Sequence, residues 1–180
     1  MKKTILAMTT AIFLLAACGK KEQPAARADN STAGTGRPKA AAAYAKKGTY
    51  FKLPGVAGGE IDLAAYAGKP VIVFFFAEWC PFCNKAAPFL EKTYRTYKAR
   101  SLQLIGIDTE NDKRSAIVFA ENHGLTFPVA YNGGEAARRY KTRGVPYIFL
   151  LTKEHTVYRF WPGYDESFDK EILKAIEEVI

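Results

Sequence analysis

Val71-Ile72-Val73-Phe74-Phe75-Phe76-Ala77-Glu78-Trp79-Cys80-Pro81-Phe82-Cys83 is the stretch that decides the fold of this 180-residue chain. Its first part, 71–76, is an unbroken apolar run of β-branched and aromatic side chains. Such a run predicts a strand buried on both faces, as in a sheet covered by helices on either side. Cys80 then opens a helical pattern over 80–100, with Pro88 inside it as a predicted kink. A strand that delivers a cysteine to the first turn of a helix sets the sulfur among unpaired backbone N–H groups, at the positive end of the helix dipole. Thiols so placed have pKa values lowered to about 3.5–7.5, and the thiolate is the attacking form. Cys83 follows one turn later on the same face, where it can attack a mixed disulfide formed at Cys80. Cys80 is therefore expected to be the more acidic and the more exposed thiol of the pair.

On the N-terminal side of this stretch, 50–53 and 60–63 read as short strands around the Gly-rich turn at 55–59, and 64–68 as a turn. On the C-terminal side, 102–107 reads as a second buried strand. Asp112 can cap a helix running to about His123, and Gly124 can end it. A short strand at 127–131 and a short helix at 135–140 follow, then a hairpin of 147–151 and 156–161 across Lys153-Glu154. The last helix gathers Phe168, Ile172, Leu173, Ile176 and Val179 on one face. Strands alternating with helices, closed by a hairpin, predict an α/β domain with a mixed central sheet and flanking helices.

The composition, 48% hydrophobic and 24% charged, is that of a soluble globular domain rather than a disordered chain or a polytopic membrane protein. The length suffices for one domain with a proper core. The formal charge of +8 falls to +6 once Lys2 and Lys3 are set aside. That balance suits both an anionic bilayer surface and plain solubility. Without a Lys/Arg patch interleaved with aromatics, no nucleic-acid partner is expected.

The N-terminus reads separately. Lys2 and Lys3 precede an uncharged stretch, 5–17, that is too short for a span of about 20 apolar residues and fits a secretory h-region. It ends Leu15-Ala16-Ala17-Cys18, which resembles the lipobox of bacterial lipoproteins. That resemblance implies cleavage before Cys18, lipidation of Cys18 and a membrane partner through the lipid anchor. Residues 1–17 are then a lipoprotein signal peptide, 18–48 the lipidated cysteine with a flexible tether, and 49–180 the folded domain. Gly19 after the cysteine favours outer-membrane sorting in a two-membrane cell. Three cysteines is an odd number for an exported chain. Lipid on Cys18 and a reactive Cys80–Cys83 pair account for all three, with none left for structural disulfides.

Other uses of a Cys-x-x-Cys pair can be weighed on residue type. A structural zinc site needs two more ligands, and the two histidines, His123 and His155, each fall near a helix end or turn where a solvated side chain is expected. A c-type haem site needs His directly after the second cysteine, where Asn84 stands. A peroxiredoxin would place Thr or Ser three residues before its reactive cysteine, where Ala77 stands. Copper-delivery proteins of related fold have wider cysteine spacing and a paired His. No metal and no cofactor are expected.

Gly68-Lys69-Pro70-Val71, the Trp79-Cys80-Pro81-Phe82-Cys83 motif, Pro88, and Gly144-Val145-Pro146 before a strand together resemble the thioredoxin superfamily, in its TlpA/ResA-like branch of membrane-anchored thiol-disulfide oxidoreductases. The resemblance covers residues 49–180. It implies a thioredoxin fold, with 111–131 as the helix-strand insertion of the TlpA-like branch. It also implies that Pro146 is cis and faces the two cysteines, that the backbone around Val145 pairs with substrate, and that Trp79 covers the disulfide, with Pro81 and Phe82 completing the site. Two family carboxylates are missing: Phe74 stands where thioredoxins place a buried Asp, and Ala86 where ResA-like proteins often carry Glu. The proton acceptor for Cys83 is thereby left open, with Glu78 expected to face solvent.

The function implied is extracytoplasmic thiol-disulfide exchange, facing the periplasm or extracytoplasmic space. The partners would be disulfide-containing exported proteins, with a membrane thiol transporter of DsbD or CcdA type as electron donor. Cytochrome c maturation and oxidative repair are the two tasks this branch implies. A disulfide-donating oxidase and a copper-binding chaperone are the alternatives.

Overall fold

All six residues of Val71–Phe76 are buried, and they form strand β3 at the centre of the sheet. The computed structural model describes residues 48–180; the expected signal peptide, Cys18 and nearly all of the tether lie outside the described residues. In chain order the elements are β1 (Lys52–Pro54), β2 (Glu60–Asp62), β3 (Val71–Phe76), α1 (Pro81–Tyr97), β4 (Gln103–Asp108), α2 (Lys113–Asn122), β5 (Val129–Ala130), α3 (Gly134–Arg139), β6 (Tyr147–Leu151), β7 (Val157–Pro162) and α4 (Asp169–Val179). β1 and β2 form a small antiparallel hairpin. The main sheet runs β5-β4-β3-β6-β7, with β4 parallel to β3 and β5, and β6 antiparallel to β3 and β7. This is the mixed α/β thioredoxin fold expected from the sequence, with α2 and β5 supplying the inserted helix and strand.

The two-residue period of β3 builds two cores. Ile72, Phe74 and Phe76 pack with Cys83, Ala87 and Leu90 of α1, Phe119 of α2 and Ile172 and Ile176 of α4. Val71, Val73 and Phe75 point the other way, among Phe51, Leu63, Ala136, Tyr140 and Phe149. Phe76 stacks on Phe119 with ring centroids 4.2 Å apart. Phe75, Tyr140 and Phe149 meet edge to face at 4.9–5.9 Å. Each fully buried Phe contributes about 1.5–3 kcal/mol relative to an exposed one. The sheet thus holds the end of β3, and the cysteine turn after it, from both sides.

Several details differ from the sequence reading. The turn at 64–68 begins as a 3-10 helix, Leu63–Tyr66, because Asp62 accepts the Ala64 N–H at 2.8 Å. The strand expected over 127–131 shrinks to Val129–Ala130. Pro128 has no N–H to offer and contributes only its carbonyl, to Gly106 N at 2.9 Å. His155, expected to be solvated, is fully buried. The turn after β6 folds back so that the His155 ring meets the Tyr66 carbonyl at 3.1 Å, and Gly68 N–H bonds Lys153 O at 3.2 Å. Gly133 is required by space rather than by a turn. A Cβ there would lie 2.2 Å from Ile107 and 2.7 Å from the Asp108 carbonyl, which its own N–H bonds at 2.8 Å. Only glycine lets α3 start this close to the end of β4.

Candidate active site

Cys80 is the N-cap of α1, with extended backbone, and Pro81 fills the first helical position. Its sulfur takes the place of a capping oxygen and accepts the Cys83 N–H at 3.3 Å. A backbone N–H aimed at sulfur is worth more to a thiolate than to a thiol. The Cys80 thiol also lies 3.5 Å from the Val145 carbonyl, to which it donates. Val145 belongs to the loop before β6, and the Val145–Pro146 bond is cis. Strand β6, antiparallel to β3, returns this loop to the end of β3 where the cysteine turn begins. Both cysteines are free thiols. The expected order of exposure holds by a narrow margin: Cys80 is 3% exposed and Cys83 0%, so both sulfurs lie inside the surface. Burial first, then the contact with Cys80, pushes the Cys83 thiol far above its ordinary value.

Two large aromatic side chains next to the cysteines in sequence are exposed. Trp79 is 67% exposed and Phe82 54% exposed, and Lys85 Nζ lies 5.5 Å over the Phe82 ring. Pro81 follows Cys80 at the start of the helix, and Pro146 follows Val145, whose carbonyl meets the Cys80 thiol. The residues expected to form the site, Trp79, Cys80, Pro81, Phe82, Cys83, Val145 and Pro146, are thus brought to one end of the sheet. Glu78, expected to face solvent, is half-buried.

Three polar residues at this end stand differently from their sequence reading: Asp108 was passed over, Asn84 was weighed only against a haem site, and His123, expected to be solvated, is half-buried and bonded to Asn84. Asn84 donates from Nδ2 to the carbonyls of Cys80 at 2.8 Å and Glu78 at 3.3 Å. Its Oδ1 meets His123 Nε2 at 2.7 Å. With Nδ2 committed as donor, Oδ1 must accept, which assigns the proton to Nε2 of His123. Burial holds the His123 imidazole below its ordinary pKa. The inserted helix α2 is thereby tied through its C-cap residue to the backbone of the Glu78–Trp79–Cys80 turn. Asp108, the last residue of β4, is fully buried and accepts the Ser115 hydroxyl of α2 at 2.8 Å. Among the described residues no three His, Cys, Asp or Glu side chains gather as a metal site would require.

The profile of the AhpC/TSA family matches residues 45–160. The chain belongs to the AhpC/TSA family. The AhpC/TSA match takes in β1, the cysteine motif, the inserted α2 and β5 and the cis-proline loop, and stops within β7. Among relatives, thiol-disulfide oxidoreductase ResA of Bacillus thuringiensis subsp. konkukian is 30% identical over 73% of this chain and 77% of its own length. ResA of Geobacillus kaustophilus is 29% identical over 69% and 72%. A solved structure from Chlorobium tepidum, assigned as a thiol:disulfide interchange protein DsbE, superposes with a TM-score of 0.70 at 25% identity, covering 74% of this chain and 94% of that one. Within the AhpC/TSA family this chain is thus a thiol-disulfide oxidoreductase of thioredoxin fold.

Proposed function

We propose that the protein reduces disulfides of exported proteins outside the cytoplasm, with Cys80 as the attacking thiol and Cys83 as the resolving one. The observation that carries this reading is the asymmetry of the pair: one sulfur caps a helix beside the loop carbonyl of Val145, the other is sealed one turn behind it. The Cys80 thiolate attacks one sulfur of a substrate disulfide, forming a mixed disulfide and releasing the other sulfur as a thiolate. Cys83, deprotonated, then attacks Cys80, forms the Cys80–Cys83 disulfide and frees the second substrate thiolate. A membrane thiol transporter of DsbD or CcdA type would return two electrons to the pair. Trp79, Phe82 and the 144–146 backbone form the docking edge, the backbone offering strand-like pairing to an extended substrate segment. Cytochrome c maturation and repair of oxidised exported proteins are the tasks that fit such a reductant.

Direction is tested by the potential of the pair. A value near the roughly −270 mV of thioredoxin, with reduction of insulin disulfides, is expected. A value near the roughly −120 mV of a strong oxidant would replace this reading with a disulfide donor.

The setting rests on Leu15-Ala16-Ala17-Cys18 and the polar segment after it. In a bacterial host, labelled fatty acid should enter the wild-type protein and not Cys18→Ala, which should leave the membrane fraction or stay unprocessed. Unlabelled wild-type protein would remove the lipid anchor from the proposal.

A further inference from the structure

Trp79 is 67% exposed, so packing does not hold its indole and its place is set by its backbone. That backbone belongs to the turn between β3 and α1, which the Cys80 N–H closes onto the Ala77 carbonyl at 3.1 Å. Asn84, the fourth residue of α1, holds this turn on both sides of Trp79. Its Nδ2 has two hydrogens to give, and the carbonyls of Cys80 and Glu78 lie 2.8 Å and 3.3 Å from it. The Cys80 carbonyl already has the Asn84 backbone N–H at 3.1 Å. What the side chain adds is the link across Trp79 to Glu78.

The amide keeps this direction because its oxygen is held as well. Oδ1 accepts from His123 Nε2 at 2.7 Å. A flipped amide would set its N–H groups against the imidazole N–H and its oxygen against two carbonyl oxygens. His123 is fixed in turn. Its backbone N–H bonds the Phe119 carbonyl at 3.2 Å at the end of α2, and its ring lies 4.6 Å from the ring of Phe119, which stacks on Phe76 of β3. The support therefore runs from the core through α2, His123 and Asn84 to the backbone on either side of Trp79. Packing against Phe119 asks only for an apolar side chain at position 123; it does not ask for an N–H aimed at Asn84.

We propose that His123 and Asn84 are positioning residues for substrate docking: through them the inserted helix α2 fixes the turn that presents Trp79 to a protein substrate. This rests on the reading of Trp79 as part of the docking edge. Neither residue takes part in the exchange of bonds between sulfurs. Their contribution is to binding, because a turn ordered beforehand spares the complex the cost of ordering it on association.

The test is insulin reduction by the full chain carrying Cys18→Ser, with dithiothreitol as electron donor. Asn84→Ala should raise KM for insulin about tenfold and leave kcat within about twofold. His123→Leu keeps an apolar side chain against Phe119 and removes the donor, and should raise KM about fivefold. His123→Gln, whose amide can still donate to Asn84, should keep KM within about twofold of wild type. The two His123 variants give an answer even if Asn84→Ala does not fold. Trp79→Ala should raise KM too, and adding Asn84→Ala to it should change KM little further, because both act on one contact. Loss of folded protein alone would lower kcat and leave KM where it was. That result, His123→Gln behaving like His123→Leu, or additive effects of Asn84→Ala and Trp79→Ala would overturn the inference alone. An unmoved KM in Trp79→Ala would remove Trp79 from the docking edge and this inference with it, leaving the chemistry of the cysteine pair standing. A wild-type protein that does not reduce insulin would overturn the proposed function itself.

Discussion

Cys83→Ser is expected to accumulate substrate proteins as mixed disulfides on Cys80, whereas Cys80→Ser accumulates almost none and reduces insulin no faster than the uncatalysed background. The sulfur at position 80 caps α1 with a backbone N–H on it and the Val145 carbonyl beside it, under a rim of exposed aromatics. Attack there does not need Cys83. Resolution does, so the serine variant stops after the first bond is exchanged. In Cys80→Ser the remaining thiol is buried and held protonated by that burial, so little thiolate forms and a bulky disulfide cannot reach it. Alkylation of the reduced wild type below neutral pH should accordingly mark Cys80 first. The check is a non-reducing gel of both variants expressed beside their natural partners, with the trapped species identified by mass. Equal trapping by the two variants, or preferential alkylation of Cys83, would reverse the assignment of roles.

The second large effect is on stability and comes from α1 rather than from the sulfurs. Glu91 is a buried carboxylate on this helix. It accepts from Thr126 N at 2.8 Å and from the Thr126 hydroxyl at 2.7 Å, and it pairs with Arg95 one turn on. Burial pushes this carboxyl up, but the Thr126 and Arg95 bonds outweigh it and hold the group below its ordinary value. Glu91→Ala leaves the Thr126 N–H without its acceptor and should cost about 1.5–3 kcal/mol or somewhat more, read as a lower urea midpoint with unchanged slope. The sign of the pH dependence follows from the lowered folded value. The contribution is present above the unfolded pKa and is lost as pH falls through the folded one. Wild type should therefore lose more stability than Glu91→Gln between about pH 7 and about pH 3. Equal losses would mean that Glu91 titrates alike in the folded and unfolded chains.

The parts of the molecule legible in the sequence are those set by local pattern. The apolar run of β3 ends at the same residues in sequence and structure, because a strand buried on both faces leaves its full length written in side-chain type. The helix start at Cys80-Pro81 is equally local, since a capping side chain and a proline at the first position both act within one turn. Val145 and Pro146 were placed near the cysteines only through the family resemblance; nothing in their own neighbourhood says where the loop folds. The Asn84–His123 contact, with His123 expected to be solvated, and the buried Asp108 were missed for a related reason. The Asn84–His123 bond joins residues 39 positions apart, and Asp108 is set beside Phe76 only by sheet register. His155 failed differently: turn residues suggested exposure, and the turn instead folds back onto the 3-10 helix before β3.

The two tryptophans of the chain occupy opposite surroundings: Trp79 stands open to water beside Cys80, while Trp161 is packed inside the core. Indole emission follows the polarity and the quenchers around the ring, so the protein carries two unlike chromophores in one spectrum. The outer one is placed to register sulfur chemistry and the arrival of a partner, and the inner one to register loss of packing. Catalysis and unfolding can therefore be followed in the same cuvette, without a label, as separable optical signals.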